Sequence, residues 1–233
     1  MNNIYRIADK NIKISSLFPF IHVYCEEYET DGEADFEIGI TEEDIRAERR
    51  EVQTEITDDW LEISAVYRKI AEIMPTYDTL MIHGSAISVD GEGYLFIAKS
   101  GTGKSTHTRL WREKFGFRAL MVNDDKPLVK ITDKGARVYG TPYSGKEGLN
   151  TNISVPLKAI CILERSERNR IERISFSEAF PMLIQQTYHP KNREMFSRTF
   201  SLLDRLRERV RFYRLHCNKG LEAAEISYKA MKG

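Results

Sequence analysis

The stretch AKSGTGKSTHTRLW, residues 98–111, decides the fold of this chain. An apolar run, GYLFIA at 93–98, leads into it, Gly101 and Gly103 form its turn, and helix-forming residues follow from Lys104. A strand, a glycine-rich turn and a helix N-terminus in this order direct successive backbone N–H groups at one point, where the helix dipole favours negative charge. The pattern therefore predicts a phosphate-binding loop.

The side chains of this loop suit a nucleotide with a bound metal ion. We expect Lys104 to reach the β- and γ-phosphates, Ser105 to ligate Mg²⁺ and Thr106 to hydrogen-bond the α-phosphate. Ala98 stands where the general motif has its first glycine, but it ends the strand, where no unusual backbone dihedral is required. A glycine-rich turn that only mimics the motif is the alternative, and the flanking strand and helix disfavour it. The predicted nucleotide-binding residues are Ser100, Gly101, Thr102, Gly103, Lys104, Ser105 and Thr106.

Two adjacent acids, Asp124 and Asp125, follow the next apolar run, RALMV at 118–122. We expect them at the carboxyl end of a strand adjacent to the loop strand, and so beside the phosphates. One carboxylate can hold Mg²⁺ while the other accepts a proton from an attacking hydroxyl. Their mutual repulsion is expected to raise the pKa of one. The alternative is that NDDKP, residues 123–127, is only a polar turn, since Asn, Asp and Pro are frequent in turns.

Composition narrows the class of protein. The chain has 233 residues, with 35 Lys and Arg against 35 Asp and Glu, so the net basic charge typical of nucleic-acid-binding domains is absent and no nucleic-acid partner is expected. No membrane span or signal peptide is predicted, and a cytoplasmic protein is the default. Three distant cysteines, Cys25, Cys161 and Cys217, suggest neither a disulfide framework nor a zinc site, and we expect them to be buried apolar residues.

The order of predicted elements indicates an α/β fold, with a mixed sheet and helices on its faces. Residues 1–78 are expected to form a β-rich segment with helices, including a strand over HVYCEEY at 22–28, and residues 79–233 a kinase-like domain around the phosphate loop. In the first part, a helix with apolar residues such as Trp60 at helical spacing is predicted from Asp58 or Asp59 to Pro75.

In the second part, DGEG at 90–93 and DKGA at 133–136 predict two hairpins. The helix after the loop is expected to end at Gly116, with His107 on its surface.

With these residues in view, the run from His83 to about Glu164 resembles the C-terminal catalytic domain of HPr kinase/phosphorylase and, more distantly, the nucleotide-binding core of phosphoenolpyruvate carboxykinase. The resemblance is carried by HGSAISVDGEGYLFIAKSGTGKST at 83–106 and by NDD at 123–125, and it covers roughly a third of the chain. It implies a mixed-sheet core of that type. It also implies that His83 lies near the transferred phosphate and that Asp125 acts as acid and base, with Asp124 assisting the metal or the pKa of its partner.

Two departures limit what the resemblance implies, and one lysine has two interpretations. Where those kinases carry a glutamate after the second hairpin, this chain has Arg137. Lys146 is either a source of positive charge for the transition state or a solvated loop lysine. The partner domain of the family is not recognisable in residues 1–80, so the acceptor need not be HPr.

The leading hypothesis is an ATP- and Mg²⁺-dependent phosphotransferase acting on a hydroxyl, with a serine of a protein or peptide as the acceptor. Lys191 or Arg193 could line the acceptor site, although a charge-rich helix start is an equal interpretation. A small-molecule kinase is the second hypothesis, but it would need a purely parallel sheet, which the two hairpins disfavour. A nucleotide-gated interaction module without catalysis is the third. A dehydrogenase is excluded by the glycine spacing.

Overall fold

The computed structural model describes residues 2–145 and 147–233. Lys146, for which the sequence left two interpretations open, lies outside the described residues. In the part of the chain described, none of the helices has both the length and the apolar character needed to cross a bilayer.

A small sheet of three strands opens the chain. It contains β1 (Asn2–Ile7), β2 (Lys10–Ser15) and β3 (Phe36–Gly39). The first two strands pair antiparallel, and β3 lies parallel to β2. The apolar positions of this sheet pack against three helices, α1 (Phe20–Tyr24), α2 (Glu42–Glu51) and α3 (Asp58–Ile73). A helix was predicted close to the bounds of α3, and this prediction is confirmed.

The strand predicted over residues 22–28 is wrong. The structure has α1 there, followed by a short 3-10 turn over Glu26–Tyr28. The buried side chains of this segment are Ile21, Cys25 and Tyr28, and spacings of four and three residues are those of a helix rather than of a strand. The period of the apolar residues was therefore the better signal, and the β-branched and aromatic composition was misleading.

The central sheet has nine strands. They are β4 (Thr79–Met81), β5 (Ser85–Val89), β6 (Glu92–Ile97), β7 (Ala119–Asn123), β8 (Leu128–Thr132), β9 (Gly135–Tyr139), β10 (Ser154–Arg165), β11 (Arg170–Ile174) and β12 (Arg211–Cys217). Their order is β4-β8-β9-β10-β6-β5-β7, and β12 also pairs with β10 and carries β11 at its edge. Strands β6, β10 and β12 are parallel, and the other pairs are antiparallel. The sheet is mixed, as predicted, although β11 was not predicted.

Helices cover both faces of this sheet. On β6 the side chains of Tyr94 and Phe96 point to one face, where they pack against α4 (Lys104–Phe115) and α7 (Leu221–Met231). Leu95 and Ile97 point to the other face, toward α5 (Phe176–Gln186) and α6 (Arg193–Leu206). A strand covered on both faces is apolar throughout, which is why β6 reads as a continuous apolar run.

Strand β5 lies between the loop strand and the strand of the two acids. The turn at Asp90 and Gly91, with φ of 54° and 82°, folds β5 back antiparallel to β6, and β7 then pairs with β5. The prediction that the strand of the two acids is adjacent to the loop strand is therefore wrong. Because β5 runs the opposite way, its first residues lie at the same edge of the sheet as the ends of β6 and β7.

His107 is buried, which contradicts its predicted surface position. Only 2% of the residue is exposed, since α7 covers this side of α4. Its Nε2 accepts a hydrogen bond from Trp111 Nε1 at 3.0 Å and lies 3.2 Å from Ser227 Oγ. Of the cysteines, Cys25 and Cys161 are buried as predicted, while Cys217 is only partly buried.

Candidate active site

The phosphate loop connects β6 to α4. Strand β6 ends at Ile97, and Gly103 precedes the first residue of α4. Among the described residues of this loop, only Gly101 and Gly103 have positive φ, at 74° and 124°. Residues with a Cβ rarely adopt this backbone conformation. Ala98 is buried at the end of the strand and needs no such conformation. The replacement of the first glycine is therefore compatible with the loop.

Arg165, at the end of β10, binds the outside of the loop. Its guanidinium donates to the carbonyl oxygens of Gly101 and Thr102, the latter from Nε at 3.0 Å. A planar cation that holds two successive carbonyls fixes the loop against a neighbouring strand. The sequence does not indicate this role, because the contact joins segments more than 60 residues apart in the chain.

Lys104 lies inside the loop. Its side chain is largely buried, and Nζ donates to the carbonyl oxygen of Ala98 at 3.3 Å. Burial lowers the pKa of this lysine, and the nearby charges of Asp125 and Asp124 partly offset that effect. The ammonium thus lies between the loop backbone and the two acids, where a bound anion would meet it.

Asp124 is the buried member of the acidic pair, with 6% of the residue exposed. Its Oδ1 accepts a hydrogen bond from Ser85 Oγ at 2.6 Å. Burial raises the pKa of Asp124, the hydroxyls of Ser85 and Ser105 lower it, and the charges of Glu147 and Asp125 raise it further; the net shift is upward. Ser105 of the loop and Asp124 both line the cleft at this edge of the sheet.

Asp125 has the opposite environment. Its Oδ1 lies 3.2 Å from His83 Nε2, and its Oδ2 is bonded to Lys126 Nζ. Burial raises the pKa of this carboxyl, but the hydrogen bonds and charges of His83 and Lys126 outweigh burial and bring the pKa to about 2. Asp125 is thus an ionised carboxylate held beside His83. The raised pKa expected for one acid of the pair therefore falls on Asp124 and not on Asp125, the predicted base, and burial contributes more to it than repulsion does.

Asn123 determines where the two acids point. Its side chain is buried, and Oδ1 accepts the backbone N–H of Asp125 at 2.9 Å and of Lys126 at 2.7 Å. Its Nδ2 donates to the carbonyl oxygen of Thr141 at 3.0 Å. This Asx turn ends β7 at the cleft, which both carboxylates line. The segment NDDKP is a turn, as the alternative interpretation stated, and it also carries the acids of the cleft.

His83 is brought to Asp125 by the glycine that follows it. The backbone N–H of Gly84 donates to the carbonyl oxygen of Asp125 at 3.0 Å. A Cβ on Gly84 would lie 2.7 Å from Leu95 Cδ1 and 2.8 Å from the carbonyl oxygen of Phe96, so only glycine allows this approach to the loop strand. The His-Gly pair is therefore required by close packing between β5 and β6.

These side chains line one cleft of about 1470 Å³. Of the predicted site residues, it contains His83, Ser100, Gly101, Gly103, Lys104, Ser105, Thr106, Asp124 and Asp125. Thr102 instead lines a separate pocket of about 540 Å³ on the other side of the loop, which Gly101, Gly103 and Thr106 also reach. His107, Leu110 and Leu163 give that second pocket apolar and aromatic surface.

Other charged residues divide into those that reach the cleft and those that do not. Glu147 lines it and contributes to the raised pKa of Asp124. Arg137 donates to the carbonyl oxygen of Ser154 at 2.8 Å in the pairing of β9 with β10, away from the cleft lining. Lys191 and Arg193 are likewise not part of that lining, and Arg193 begins α6. Glu147 is thus an acid of the cleft that the sequence did not indicate.

A magnesium ion bound with a nucleotide fits this site better than a metal held by protein alone. In residues 2–145 and 147–233, no three His, Cys, Asp or Glu side chains stand together as a metal site. Ser105 and Asp124 line the same cleft and each offers one oxygen ligand or more. Mg²⁺ often takes only one or two protein ligands and completes its shell with water and phosphate oxygens.

The fold and this geometry define a mixed α/β protein built around a strand, a glycine-rich phosphate loop and a helix. The chain belongs to the family of SynChlorMet cassette protein ScmC, whose model matches residues 48–218. No curated protein matches the sequence.

Among solved structures, the chain is similar to the Hpr(Ser) kinase/phosphatase from Coxiella burnetii, at 12% identity and a TM-score of 0.38. That match covers 66% of this chain and 99% of the other. At this TM-score the likeness decides neither fold nor activity, and the function has to be inferred from the residues of the cleft.

Proposed function

We propose that this chain is an ATP- and Mg²⁺-dependent phosphotransferase whose acceptor is a hydroxyl group, with a serine of a protein or peptide as the favoured acceptor. The observation that supports the proposal is the meeting of two groups in one cleft. Lys104 and Ser105 come from the phosphate loop, and the ionised Asp125 with its partner His83 comes from the other strands. The alternative small-molecule kinases need a purely parallel sheet, whereas β5 is antiparallel to both neighbours.

The loop would bind the β- and γ-phosphates. Backbone N–H groups at the start of α4 and the ammonium of Lys104 face the same region, so a polyphosphate would replace the carbonyl oxygen of Ala98 as the partner of Lys104. Ser105 and Asp124 would hold Mg²⁺, which supplies charge neutralisation to the phosphates when bound. Burial of Asp124 makes its carboxylate a stronger ligand for a cation than an exposed carboxylate would be.

Asp125 and His83 would act on the acceptor. Phosphoryl transfer has a loose transition state in which little proton removal is needed before the bond to phosphorus forms. A carboxylate with a pKa of about 2 is a weak base, but it can orient a hydroxyl and accept its proton late in the reaction. His83 lines the cleft beside Asp125 and would hydrogen-bond the phosphoryl group or the acceptor.

The second pocket would accommodate the nucleoside. It shares Gly101, Gly103 and Thr106 with the cleft, so a nucleotide on the loop can reach both spaces. Leu110 and Leu163 provide the apolar surface that a base requires. Because ATP is the donor in this proposal, we also propose that the chain acts in the cytoplasm.

Transfer of the γ-phosphate tests the proposal. We expect Asp125→Asn to lower transfer from ATP to a serine-containing acceptor by about 10²-fold or more, while the affinity for MgATP changes little. Asp133→Asn is the matched control, because the side chain of Asp133 is 98% exposed and lies outside the cleft lining. Labelled ATP and separation of the phosphorylated product give the rate.

Two outcomes would contradict the proposal. Equal transfer rates for wild type and Asp125→Asn would remove Asp125 from the chemistry. Binding of MgATP without transfer to any hydroxyl would instead favour the nucleotide-gated interaction module.

A further inference from the structure

The mouth of the cleft has an apolar wall that phosphate binding does not require. Phe20, Val23 and Tyr24 of α1 line it, together with Ile56 and Trp60 near the start of α3. Val23 is 66% exposed and Trp60 is 46% exposed, although the helical pattern of α3 places Trp60 among its apolar residues. Large apolar side chains that stay exposed beside a reaction site are typical of a binding surface.

An aromatic series connects this wall to the reacting groups. Ring centroids are 5.9 Å apart for Tyr143 and Tyr24, 5.7 Å for Tyr24 and Trp60, and 5.2 Å for Trp60 and Phe20. Burial raises the pKa of Tyr24, and the charge of Asp125 contributes to the same shift. Tyr24 and Asp125 line the same cleft, so the wall and the reacting groups belong to one space.

The wall is held in place by partly buried hydrogen bonds. The carboxylate of Glu62, fully buried in α3, accepts the backbone N–H of Leu17 at 2.6 Å and of Phe18 at 3.1 Å, immediately before α1. Tyr28 donates to Asn150 Oδ1 at 2.9 Å on the opposite rim of the cleft. A surface that is already ordered loses little entropy when a ligand binds.

Two acids extend the wall. Glu26 and Glu27 are exposed, line the cleft, and form no ion pair with any residue of 2–145 or 147–233. Their negative charges would repel the phosphates of a nucleotide, so Glu26 and Glu27 do not belong to the part of the cleft that binds the phosphoryl donor. A positively charged group would be attracted there.

We infer that this wall, formed by Phe20, Val23, Tyr24, Ile56 and Trp60 with Glu26 and Glu27, binds the acceptor, and that the acceptor is a peptide segment carrying an apolar and a basic side chain near its hydroxyl residue. The inference rests on the proposed function for the identity of the reaction. The cleft, at about 1470 Å³, exceeds the 300–1,000 Å³ typical of small-molecule sites, and its lining includes the apolar and acidic residues of the wall in addition to the phosphate loop. An extended peptide fills such a space.

Peptide binding tests the inference independently of catalysis. The probes are short fluorescent peptides with a central serine flanked by leucine and lysine, and matched peptides with glutamate for lysine or asparagine for leucine. We expect the wild-type chain to bind the leucine-lysine peptide about tenfold or more tightly than either matched peptide, measured by fluorescence anisotropy without nucleotide.

Variants locate the binding surface. Trp60→Ala is expected to weaken binding of the leucine-lysine peptide about tenfold. The double variant Glu26→Lys, Glu27→Lys is expected to reverse the preference toward the glutamate peptide. Phe117→Ala is the matched control, because Phe117 is fully exposed outside the cleft and its removal should leave peptide binding unchanged. Thermal unfolding of each variant shows whether it is folded.

Failure of the inference and failure of the proposed function are distinguishable. Titration with MgATP tests the phosphate loop, and its result does not depend on the wall. Equal binding of the three peptides, no peptide binding, or unchanged binding by folded Trp60→Ala would overturn the inference. A wild-type dimer that Trp60→Ala converts to a monomer in sedimentation would also overturn it, since the wall would then bind a second copy of the chain.

Discussion

Asp124 and Asp125 are neighbours in sequence with opposite protonation behaviour. Burial dominates at Asp124 and raises its pKa, whereas His83 and Lys126 hold the pKa of Asp125 at about 2. The difference arises because the Asx turn of Asn123 sends one carboxylate inward to Ser85 and the other outward to His83. Two carboxylates in such different environments can have different roles, one as a metal ligand and the other beside an acceptor hydroxyl.

The depressed pKa of Asp125 predicts a pH dependence of stability. The folded-state pKa is about 2, below the ordinary value of 3.8, so the ionised carboxylate stabilises the fold fully above pH 3.8. This contribution, on the order of 2 kcal/mol, is lost as the pH falls through about 2. We therefore expect the difference in free energy of unfolding between wild type and Asp125→Asn to shrink as the pH falls from about 4 toward 2.

Denaturant unfolding at several pH values measures this difference. Asp133→Asn again serves as the control, since its side chain is 98% exposed and its substitution should give a nearly constant difference. A difference for Asp125→Asn that does not change between neutral pH and about pH 2 would show that the carboxylate has no special partner.

At the scale of elements, the insertion of β5 between β6 and β7 assembles the site. Its first residues place His83 and Ser85 between the phosphate loop and the two acids, and Ser85 Oγ also lies 2.9 Å from Thr108 Oγ1 of α4. An antiparallel strand is what allows the start of one strand to meet the ends of its two neighbours. Packing of β5 on β6 is therefore coupled to the geometry of the cleft.

Gly84→Ala tests this coupling. The added Cβ would lie 2.7 Å from Leu95 Cδ1 and 2.8 Å from a backbone oxygen of Phe96, so β5 must shift. We expect a loss of about 1–3 kcal/mol in the free energy of unfolding, because overpacking displaces backbone. Phosphoryl transfer should fall as His83 moves from Asp125.

Gly39→Ala is the matched control for that substitution. A Cβ at Gly39 in β3 meets nothing within 4 Å, and we expect the free energy of unfolding to change by less than about 0.5 kcal/mol. Urea unfolding measures both variants, and an equal cost at the two positions would show that close packing at Gly84 is not required.

At the scale of the whole molecule, the N-terminal sheet shares a hydrophobic cluster with the central part of the chain. The cluster joins Ile12 and Ile14 of β2 and Tyr67 of α3 to Leu128 of β8 and Tyr143 beyond β9. The predicted domain boundary between residues 78 and 79 passes through this shared core. It stays a prediction, and cooperativity of unfolding can test it.

The two tryptophans report on the two sides of that boundary. Trp60 lies in α3 and Trp111 in α4. We expect Trp60→Phe and Trp111→Phe each to unfold in one thermal transition, because the shared cluster couples the two sides. In each variant, the fluorescence of the remaining tryptophan and the far-UV circular dichroism should have the same midpoint. Distinct midpoints for the two probes within one variant would instead establish two independently folding domains.

The sequence by itself determined the features that depend on neighbouring residues. The glycines of the phosphate loop, the turn at Asp90 and Gly91, and the end of α4 at Gly116 were all predicted at their observed positions. Each follows from the backbone preferences of a few adjacent residues, and these preferences can be read directly from the sequence.

Only the tertiary structure decided which segments meet. It placed β7 beside β5 and not beside the loop strand, buried His107 under α7, bound Arg165 to the loop and brought Glu147 and the aromatic wall of α1 to the cleft. These contacts join residues far apart in the chain, and they form because apolar faces of different elements bury one another. Local periodicity shows that a face is apolar, but it does not identify the face that will cover it.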